Sequence, residues 1–221
     1  TPTDEELAQA KHHFIGHLSV QDYYSIGQYE EDALEKIEEI FEKNDFAVLV
    51  GGSMMYEKAV VEGLNDLPEA NAENQKNLQR ILDEEGLEKL QEILKNLDEE
   101  YYNVVHKENP RRLLRAIDVI WQTGRKYSEI IAEPKHKRDF KVVRIGITAP
   151  REIMYERINL RVDKMLEKGL IDEVKSLTEY QKLVPLQTVG YSEIFKYLEG
   201  TWDLDFAIEE IKKNSRRYAK R

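Results

Sequence analysis

A glycine turn at residues 50–56 has a composition suited to binding phosphate. It follows a continuous apolar run and contains Gly51, Gly52 and Ser53. Because glycine carries no side chain, the backbone N–H groups of this turn can approach a ligand closely. The hydroxyl of Ser53, at the predicted start of a helix, can contact phosphate or a reacting nucleoside. A plain glycine turn with a serine cap is the alternative, and the segment taken alone favours it.

The second candidate is a helix that begins with arginines. Arg111, Arg112 and Arg115 follow Pro110, a residue typical of the first helical position. Cations at a helix N-terminus oppose the helix dipole, so an external anion can be the reason for them. Arg111 and Arg115 lie one turn apart, and we expect their shared face to bind phosphate through bidentate hydrogen bonds, whereas Arg112 points elsewhere. A solvated basic face is the alternative.

A third basic face lies further along the chain. Arg157, Arg161 and Lys164 recur at positions i, i+4 and i+7, with apolar residues on the opposite side. Three cations on one helical face can bind a pyrophosphate. Ordinary ion pairs with Glu156 or Asp163 would explain the same pattern.

The connection at residues 186–191 combines polar, flexible and aromatic residues between two predicted helices. It contains Gln187, Thr188, Gly190 and Tyr191. Loops of this kind can reach an unpaired RNA base and stack on it or hydrogen-bond to it. Many structural helix connections have the same composition, and the segment taken alone favours that alternative.

Histidines near the start of the chain raise the question of a metal site. His13 and His17 have the i, i+4 spacing of a helical metal pair, and His12 adjoins them. No accompanying glutamate or further ligand completes a known metal-binding pattern. We therefore predict no metal ligand in this chain.

Composition excludes several classes of protein. With 41% hydrophobic and 34% charged residues, the chain of 221 residues is typical of a folded globular protein. The absence of cysteine rules out disulfides, thiolate zinc sites and cysteine nucleophiles within it. No apolar stretch approaches the roughly 20 residues of a membrane helix. We expect a cytoplasmic monomer that does not associate with a membrane.

Charge is distributed unevenly along the chain. The formal net charge of −10 argues against non-specific wrapping of nucleic acid. Basic residues nevertheless concentrate at 107–126 and 212–221, whereas the acidic excess lies at 30–42 and 69–100. Such asymmetry permits a local polyanion site on an acidic protein.

The predicted fold class is α/β and mostly helical. Two β-branched or apolar runs, at residues 46–50 and 141–147, predict buried parallel strands. Between them, helical patterns at 73–84, 86–96, 99–105 and 110–123 predict an all-helical block. We therefore predict a parallel-sheet core in two parts, residues 1–67 and 138–221, interrupted by a helical insertion at residues 68–137.

In their order along the chain, these segments resemble the bacterial tRNA dimethylallyltransferase family, also called the IPP transferases. The resemblance covers nearly the whole chain and rests on an ordered set of motifs. They are His13 with Asp22-Tyr23-Tyr24-Ser25, residues 50–56, Glu62-Gly63 with Leu67-Pro68, residues 109–116, Gly124-Arg125, residues 157–166, Thr188-Val189-Gly190-Tyr191, and residues 217–221.

The resemblance implies a fold similar to the P-loop kinases, with a helical insertion that binds the tRNA anticodon stem-loop. The implied reaction moves a dimethylallyl group from dimethylallyl diphosphate to N6 of the adenosine directly 3′ of the anticodon, which must leave its stack to react. Mg²⁺ would assist the departure of pyrophosphate, with ligands outside these residues or from the substrate. The resemblance thus implies a transferase that modifies tRNA and binds a nucleotide.

Matching positions assign roles that remain expectations. Ser53 stands where the family usually has a threonine beside the reacting adenosine, and the diphosphate would meet Gly51, Gly52 and Arg161. Gln75 occupies a position where some members have an arginine that contacts tRNA. The other implied tRNA contacts are Arg111, Arg112, Leu113, Leu114, Arg115, Leu186, Gln187, Thr188, Val189, Gly190, Tyr191, Lys220 and Arg221.

The family also has a phosphate loop ending in Gly-Lys-Thr/Ser and an Asp-Ser segment with the proposed general base, and this sequence contains neither. We therefore expect the sequence to be a fragment lacking the N-terminal P-loop segment, without activity by itself. The alternatives are an adenylate dimethylallyltransferase, which would not need the helical insertion, and a catalytically inert RNA-binding or protein-interaction module. A kinase is a further alternative, disfavoured because no Walker motif is present.

Overall fold

The computed structural model describes residues 3–220, which contain twelve α-helices. None of these helices is both long and apolar enough to cross a membrane. Two short 3₁₀ turns, Thr178–Tyr180 and Val184–Leu186, lie between α10 and α11. The helices are α1 (Asp4–Gln9), α2 (Ile26–Phe41), α3 (Met54–Glu62), α4 (Ala72–Glu85), α5 (Leu87–Leu97), α6 (Glu99–Val104), α7 (Pro110–Thr123), α8 (Tyr127–Ala132), α9 (Arg151–Glu167), α10 (Leu170–Ser176), α11 (Tyr191–Leu198) and α12 (Leu204–Lys220).

The chain divides into two compact units. The first unit comprises Thr1–Tyr23 and Arg144–Arg221, and the second comprises Tyr24–Val143. The predicted insertion at residues 68–137 therefore lies inside the second unit, together with α2 and α3. The three-part division at residues 67 and 137 stays a prediction.

The core of the second unit is built from α4, α5 and α7. Leu78, Leu90, Leu94, Leu113 and Ile117 are fully buried in one cluster. Burial of each such side chain contributes about 1.5–3 kcal/mol to stability. On α7 the consecutive residues Ala116–Ile120 are all buried, so the middle of this helix is enclosed and its exposed residues lie in the first and last turns.

Helix α8, which the sequence pattern missed, is held by a buried aspartate. Asp98 caps α6 by accepting the N–H of Tyr101 at 3.0 Å, and it also accepts the N–H of Ser128 at 2.7 Å and its hydroxyl at 2.9 Å. Burial opposes ionisation of Asp98, but these hydrogen bonds outweigh it and lower its pKa below 3.8. One carboxylate therefore fixes the start of α8 against the α5–α6 junction.

A largely buried arginine directly after the helical block contacts both α2 and α3. The guanidinium of Arg138 donates to the carbonyls of Ala59 and Val60 at 2.8 Å, and it pairs with the carboxylate of Glu30. The Ala59 carbonyl also accepts the N–H of Gly63 at 3.0 Å. The Val60 carbonyl lies in the last turn of α3, where carbonyls lack a partner within the helix, so Arg138 helps to cap α3. We call this arrangement the Arg138 clasp.

The two predicted strands are absent from the described part of the chain. Residues 46–50 and 141–147 are in neither helix nor strand. Val50 is 87% exposed and Ile147 is 98% exposed, where the sequence pattern predicted burial. A strand needs a neighbouring strand to satisfy its backbone groups, and among residues 3–220 neither segment has one. The prediction of a parallel sheet is therefore not confirmed.

The first unit is organised by α9, α10, α11 and α12. Its core includes Val162, Val174, Ile194 and Ile211, each at most 2% exposed. Helices α9 and α12 are also joined by polar contacts. The guanidinium of Arg216 donates to the side-chain oxygen of Asn159 at 2.6 Å, and Lys212 pairs with Asp163 at 2.9 Å.

Candidate functional site

The glycine turn leads into α3 as the sequence predicted. Ser53 occupies the N-cap position of α3 with extended backbone angles, and Gly63 ends the helix with a φ of +80°. The Ser53 hydroxyl, however, makes no capping hydrogen bond. A Cβ placed on Gly51 would meet no atom within 4 Å, so packing does not require glycine there. The alternative of a serine that merely caps the helix is therefore not realised.

The arginines of α7 fall into two kinds. Pro110 is the first helical residue, and the side chain of Asn109 caps the helix through the N–H of Arg112 at 3.4 Å. Arg111 and Arg112 are exposed, and their side chains have no hydrogen-bond or ion-pair partner among residues 3–220.

Arg115, in contrast, is bound inside the unit. Its guanidinium pairs with Asp118 at 3.3 Å and donates to the carbonyl of Pro68 at 2.5 Å. We expected Arg111 and Arg115 to share a phosphate-binding face. The structure corrects this expectation, because the buried Asp118 attracts the Arg115 guanidinium inward, and Arg111 and Arg112 are the exposed pair.

Three leucines of the proposed RNA-contacting stretches are core residues. Leu113 is fully buried, Leu114 is 9% exposed and Leu186 is 3% exposed. Their side chains offer no surface to a ligand, so any part they have in binding is through packing or backbone. Gln75 lies in the first turns of α4 and is partly exposed.

The connection at residues 186–191 mixes internal and exposed groups. Gln187 turns its amide back to donate to the carbonyl of Gln181. Thr188 and Val189 are exposed, whereas Gly190 is buried. Gln187 is also exposed, so Gln187, Thr188 and Val189 form the surface that this connection offers to a ligand.

A buried glutamate that the sequence pattern did not single out holds this connection. Glu193 accepts the N–H of Gly190 at 2.8 Å with one carboxylate oxygen and the amide of Asn214 at 2.8 Å with the other. Gly190 has a φ of +101°, a conformation that favours glycine. The acid three residues after the glycine, at the start of a helix, is the signal of a capping arrangement.

Tyr191 is partly buried against the core of the first unit. Its hydroxyl donates to the carboxylate of Glu173 at 2.5 Å, and its ring packs against the core. Burial, together with this hydrogen bond, raises the pKa of Tyr191 to about 12. Tyr191 therefore contributes to packing, and its contact with RNA stays a prediction.

The alternative explanation for the basic face of α9 was a set of ion pairs with Glu156 or Asp163, and the structure shows none of these pairs within residues 3–220. Arg157, Arg161 and Lys164 are exposed and have no ion-pair partner among residues 3–220. Asp163 pairs instead with Lys212 of α12. Lys220, in the last turn of α12, is exposed, and Arg221 lies outside the described residues.

No group of three or more histidine, aspartate or glutamate side chains within residues 3–220 is arranged to hold a metal ion.

Comparison with known proteins identifies the family. The model of the IPP transferase family matches residues 1–221. The chain belongs to this family. Two curated relatives are named tRNA dimethylallyltransferase. The chain is 44% identical to the enzyme numbered 1 of Bacteroides thetaiotaomicron and 47% identical to that of Christiangramia forsetii. The matches cover the whole chain and 71% and 73% of the relatives. The resemblance inferred from the motifs is confirmed.

Solved structures of IPP transferases are also similar. A eukaryotic dimethylallyltransferase acting on tRNA has a TM-score of 0.81 at 25% identity, over 100% of this chain and 57% of that one. The tRNA isopentenylpyrophosphate transferase of Bacillus halodurans has a TM-score of 0.64 at 34% identity, over 99% and 69% of the two chains.

Proposed function

We propose that this chain forms the RNA-binding part and much of the reaction channel of a tRNA prenyltransferase. The reaction joins the first carbon of a dimethylallyl group to N6 of the adenosine 3′ of the anticodon. That carbon breaks its bond to the diphosphate, and N6 releases a proton. The observation that carries this proposal is the pair of exposed, unpartnered cations, Arg111 and Arg112, at the start of a capped helix in a member of the IPP transferase family.

The exposed arginines are suited to RNA phosphates. A guanidinium binds phosphate oxygens through two parallel hydrogen bonds, and cations at a helix N-terminus gain stability from an anion placed there. We assign Arg111 and Arg112 to the backbone of the anticodon stem-loop. Thr188, Val189 and Lys220 are also exposed, and we assign them to contacts with RNA as well.

Binding measurements test this assignment. The salt dependence of affinity for an anticodon stem-loop counts the phosphates that a protein neutralises. The double variant Arg111→Gln/Arg112→Gln should bind more weakly, and its log–log slope against salt should fall by roughly 0.7–0.9 for each phosphate that is no longer neutralised. Unchanged affinity and slope would remove both arginines from the RNA-binding surface.

Ser53 is assigned to the reacting adenosine, and Gly51, Gly52 and Arg161 to the diphosphate. Backbone N–H groups and a guanidinium stabilise the negative charge that develops as the diphosphate leaves. The uncapped hydroxyl of Ser53 supports its assignment. In a polypeptide that includes the rest of the family's length, Ser53→Ala should lower turnover more than tRNA affinity. Equal turnover would reduce Ser53 to a residue of the turn.

Mg²⁺ and the partners of the reaction complete the proposal. We assign no residue of this chain to Mg²⁺, which when bound to the diphosphate would reduce its charge. Dimethylallyl diphosphate and the tRNA anticodon stem-loop are the proposed substrates, and the proposed state is a cytoplasmic monomer. Because the 221 residues contain no Gly-Lys-Thr/Ser phosphate loop, prenylation by this polypeptide alone should be undetectable.

The two exposed apolar segments belong to the same proposal. We assign residues 46–50 and 141–147 to parallel strands of a P-loop-like sheet whose partner strands lie outside the 221 residues. Side chains such as Phe46, 74% exposed, support this because they are costly to leave in water. Amide hydrogen exchange tests it: both segments should exchange rapidly in this chain and slowly in a polypeptide of the relatives' full length.

A further inference from the structure

Arg115 lies in the stretch that the family resemblance assigns to RNA, yet its guanidinium is already bound. One terminal nitrogen pairs with Asp118 at 3.3 Å, and the other donates to the Pro68 carbonyl at 2.5 Å. About a third of the side chain is exposed. A planar guanidinium can serve two acceptors at a fixed angle, which an ammonium group cannot.

Asp118 is the centre of a wider network. It is fully buried and accepts the N–H of Asn71 at 3.4 Å, the amide of Asn74 at 3.0 Å and the amide of Gln122 at 3.0 Å. Gln122 also donates to the carbonyl of Glu69 at 2.9 Å. The network therefore fastens the connector at residues 68–71 and the first turn of α4 to the middle of α7.

The network fixes the surface that carries the exposed arginines. Arg111 and Arg112 lie in the turn of α7 that precedes Arg115. Gln75, one residue after Asn74, lies in the turn of α4 that the network holds. Moving Arg115 onto an RNA phosphate would leave the buried carboxylate of Asp118 without its cation, which opposes such a movement.

We propose that Arg115 is a positioning residue for RNA binding and makes no phosphate contact of its own. It holds α7 and α4 in register, so that Arg111 and Arg112 meet the RNA in a fixed arrangement. This inference rests on the proposed RNA-binding function. It replaces the simpler assignment by family resemblance, in which Arg111, Arg112 and Arg115 all bind phosphate.

The experiment compares affinity and its salt dependence for an anticodon stem-loop RNA with the 221-residue chain. For Arg115→Gln we expect affinity to fall about fivefold at every salt concentration, because the binding surface loses preorganisation. The log–log slope should stay at the wild-type value, since the same phosphates are still neutralised. Circular dichroism at the binding temperature establishes that the variant is folded.

A conservative variant and a control make the outcome decisive. Arg115→Lys keeps the charge but loses the planar guanidinium that serves two acceptors, so we expect it to bind RNA nearly as weakly as Arg115→Gln. A direct phosphate contact would instead lower the log–log slope of Arg115→Gln and leave that of Arg115→Lys, which keeps the charge, at the wild-type value. The matched control is Arg80→Gln, which removes a cation paired with Glu84 on the surface of the same unit. It should change neither affinity nor slope.

The remaining outcomes separate this inference from the function on which it rests. If the Arg115→Gln slope falls as it does for the Arg111→Gln/Arg112→Gln variant, Arg115 contacts phosphate and the inference is wrong. If affinity is unchanged in folded Arg115→Gln, the residue is merely structural and the inference is again wrong. If Arg111→Gln/Arg112→Gln has no effect, the RNA-binding surface itself is misassigned, and both proposals fail.

Discussion

The two segments proposed to contact RNA are each held by a buried carboxylate, but the carboxylates are satisfied in different ways. Asp118, a buried residue of α7, accepts three neutral donors and the guanidinium of Arg115. Glu193 beneath the connection at residues 186–191 accepts a backbone N–H and the amide of Asn214, both neutral. The first arrangement therefore uses a cation from the binding surface itself, whereas the second uses none.

Removal of the Asp118 charge should have the largest effect. In Asp118→Asn the new amide nitrogen faces donors, and Arg115 loses its counter-charge. We expect the free energy of unfolding to fall by ~3 kcal/mol, the lower end for broken buried pairs because Arg115 is partly exposed. Urea denaturation followed by circular dichroism measures it. The control Asp83→Asn removes an exposed carboxylate that accepts from Gln79 at 2.8 Å. A loss no larger than that of the control would contradict the role of the charged Asp118 carboxylate as the centre of this network.

The equivalent change in the first unit should be milder. In Glu193→Gln the new carbonyl can still accept the Gly190 N–H, and Asn214 can rotate its amide to accept from the new NH₂ group. We expect a loss of about 1 kcal/mol in the same denaturation experiment. Glu199→Gln, at the exposed C-cap of α11, is the control. A loss as large as that of Asp118→Asn would show that a neutral donor set is no easier to replace than an ion pair.

The third comparison concerns the pH dependence of stability at Asp98. Near neutral pH the stability difference between the wild type and Asp98→Asn should not change with pH. Asp98 has only neutral donors, as Glu193 does, and its pKa is lowered below 3.8. A depressed folded pKa means that the stability contribution is present above pH 3.8 and is lost as pH falls through the folded value. The stability difference between wild type and Asp98→Asn should therefore shrink in acid.

The control for this measurement is Asp45→Asn, which removes an exposed carboxylate from the same unit. The stability of the wild type minus that of Asp45→Asn, followed as the pH falls, measures the general effect of removing one surface charge. A wild-type minus Asp98→Asn difference that grew as the pH fell below 3.8 would have the wrong sign for a carboxylate stabilised in its charged form.

Local signals in the sequence were sufficient for the helices that present the candidate site. Pro110 and Gly124 predicted both ends of α7, and Ser53 and Gly63 predicted the bounds of α3. These features depend on backbone angles and caps within one turn of the chain, so a single sequence carries them.

Contacts between distant residues could not be predicted in the same way. Arg115 donates to the carbonyl of Pro68, 47 residues earlier. Because of this contact its guanidinium is bound, whereas that of Arg111 on the same helix is exposed. Leu186 looked like a loop residue but is buried, because neighbouring helices cover it. Residues 46–50 have the composition of a strand, yet strand formation depends on a partner that periodicity does not specify.

The Arg138 clasp bears on the order in which the chain folds. It joins Arg138 to Glu30 across 108 residues of chain, and closing so long a loop from an unfolded chain is entropically costly. Once the helices between them have formed their own core, the chain that must be closed is short. The kinetics should therefore show the helical block forming early and the clasp late, so that substitutions at Arg138 accelerate unfolding more than they slow folding.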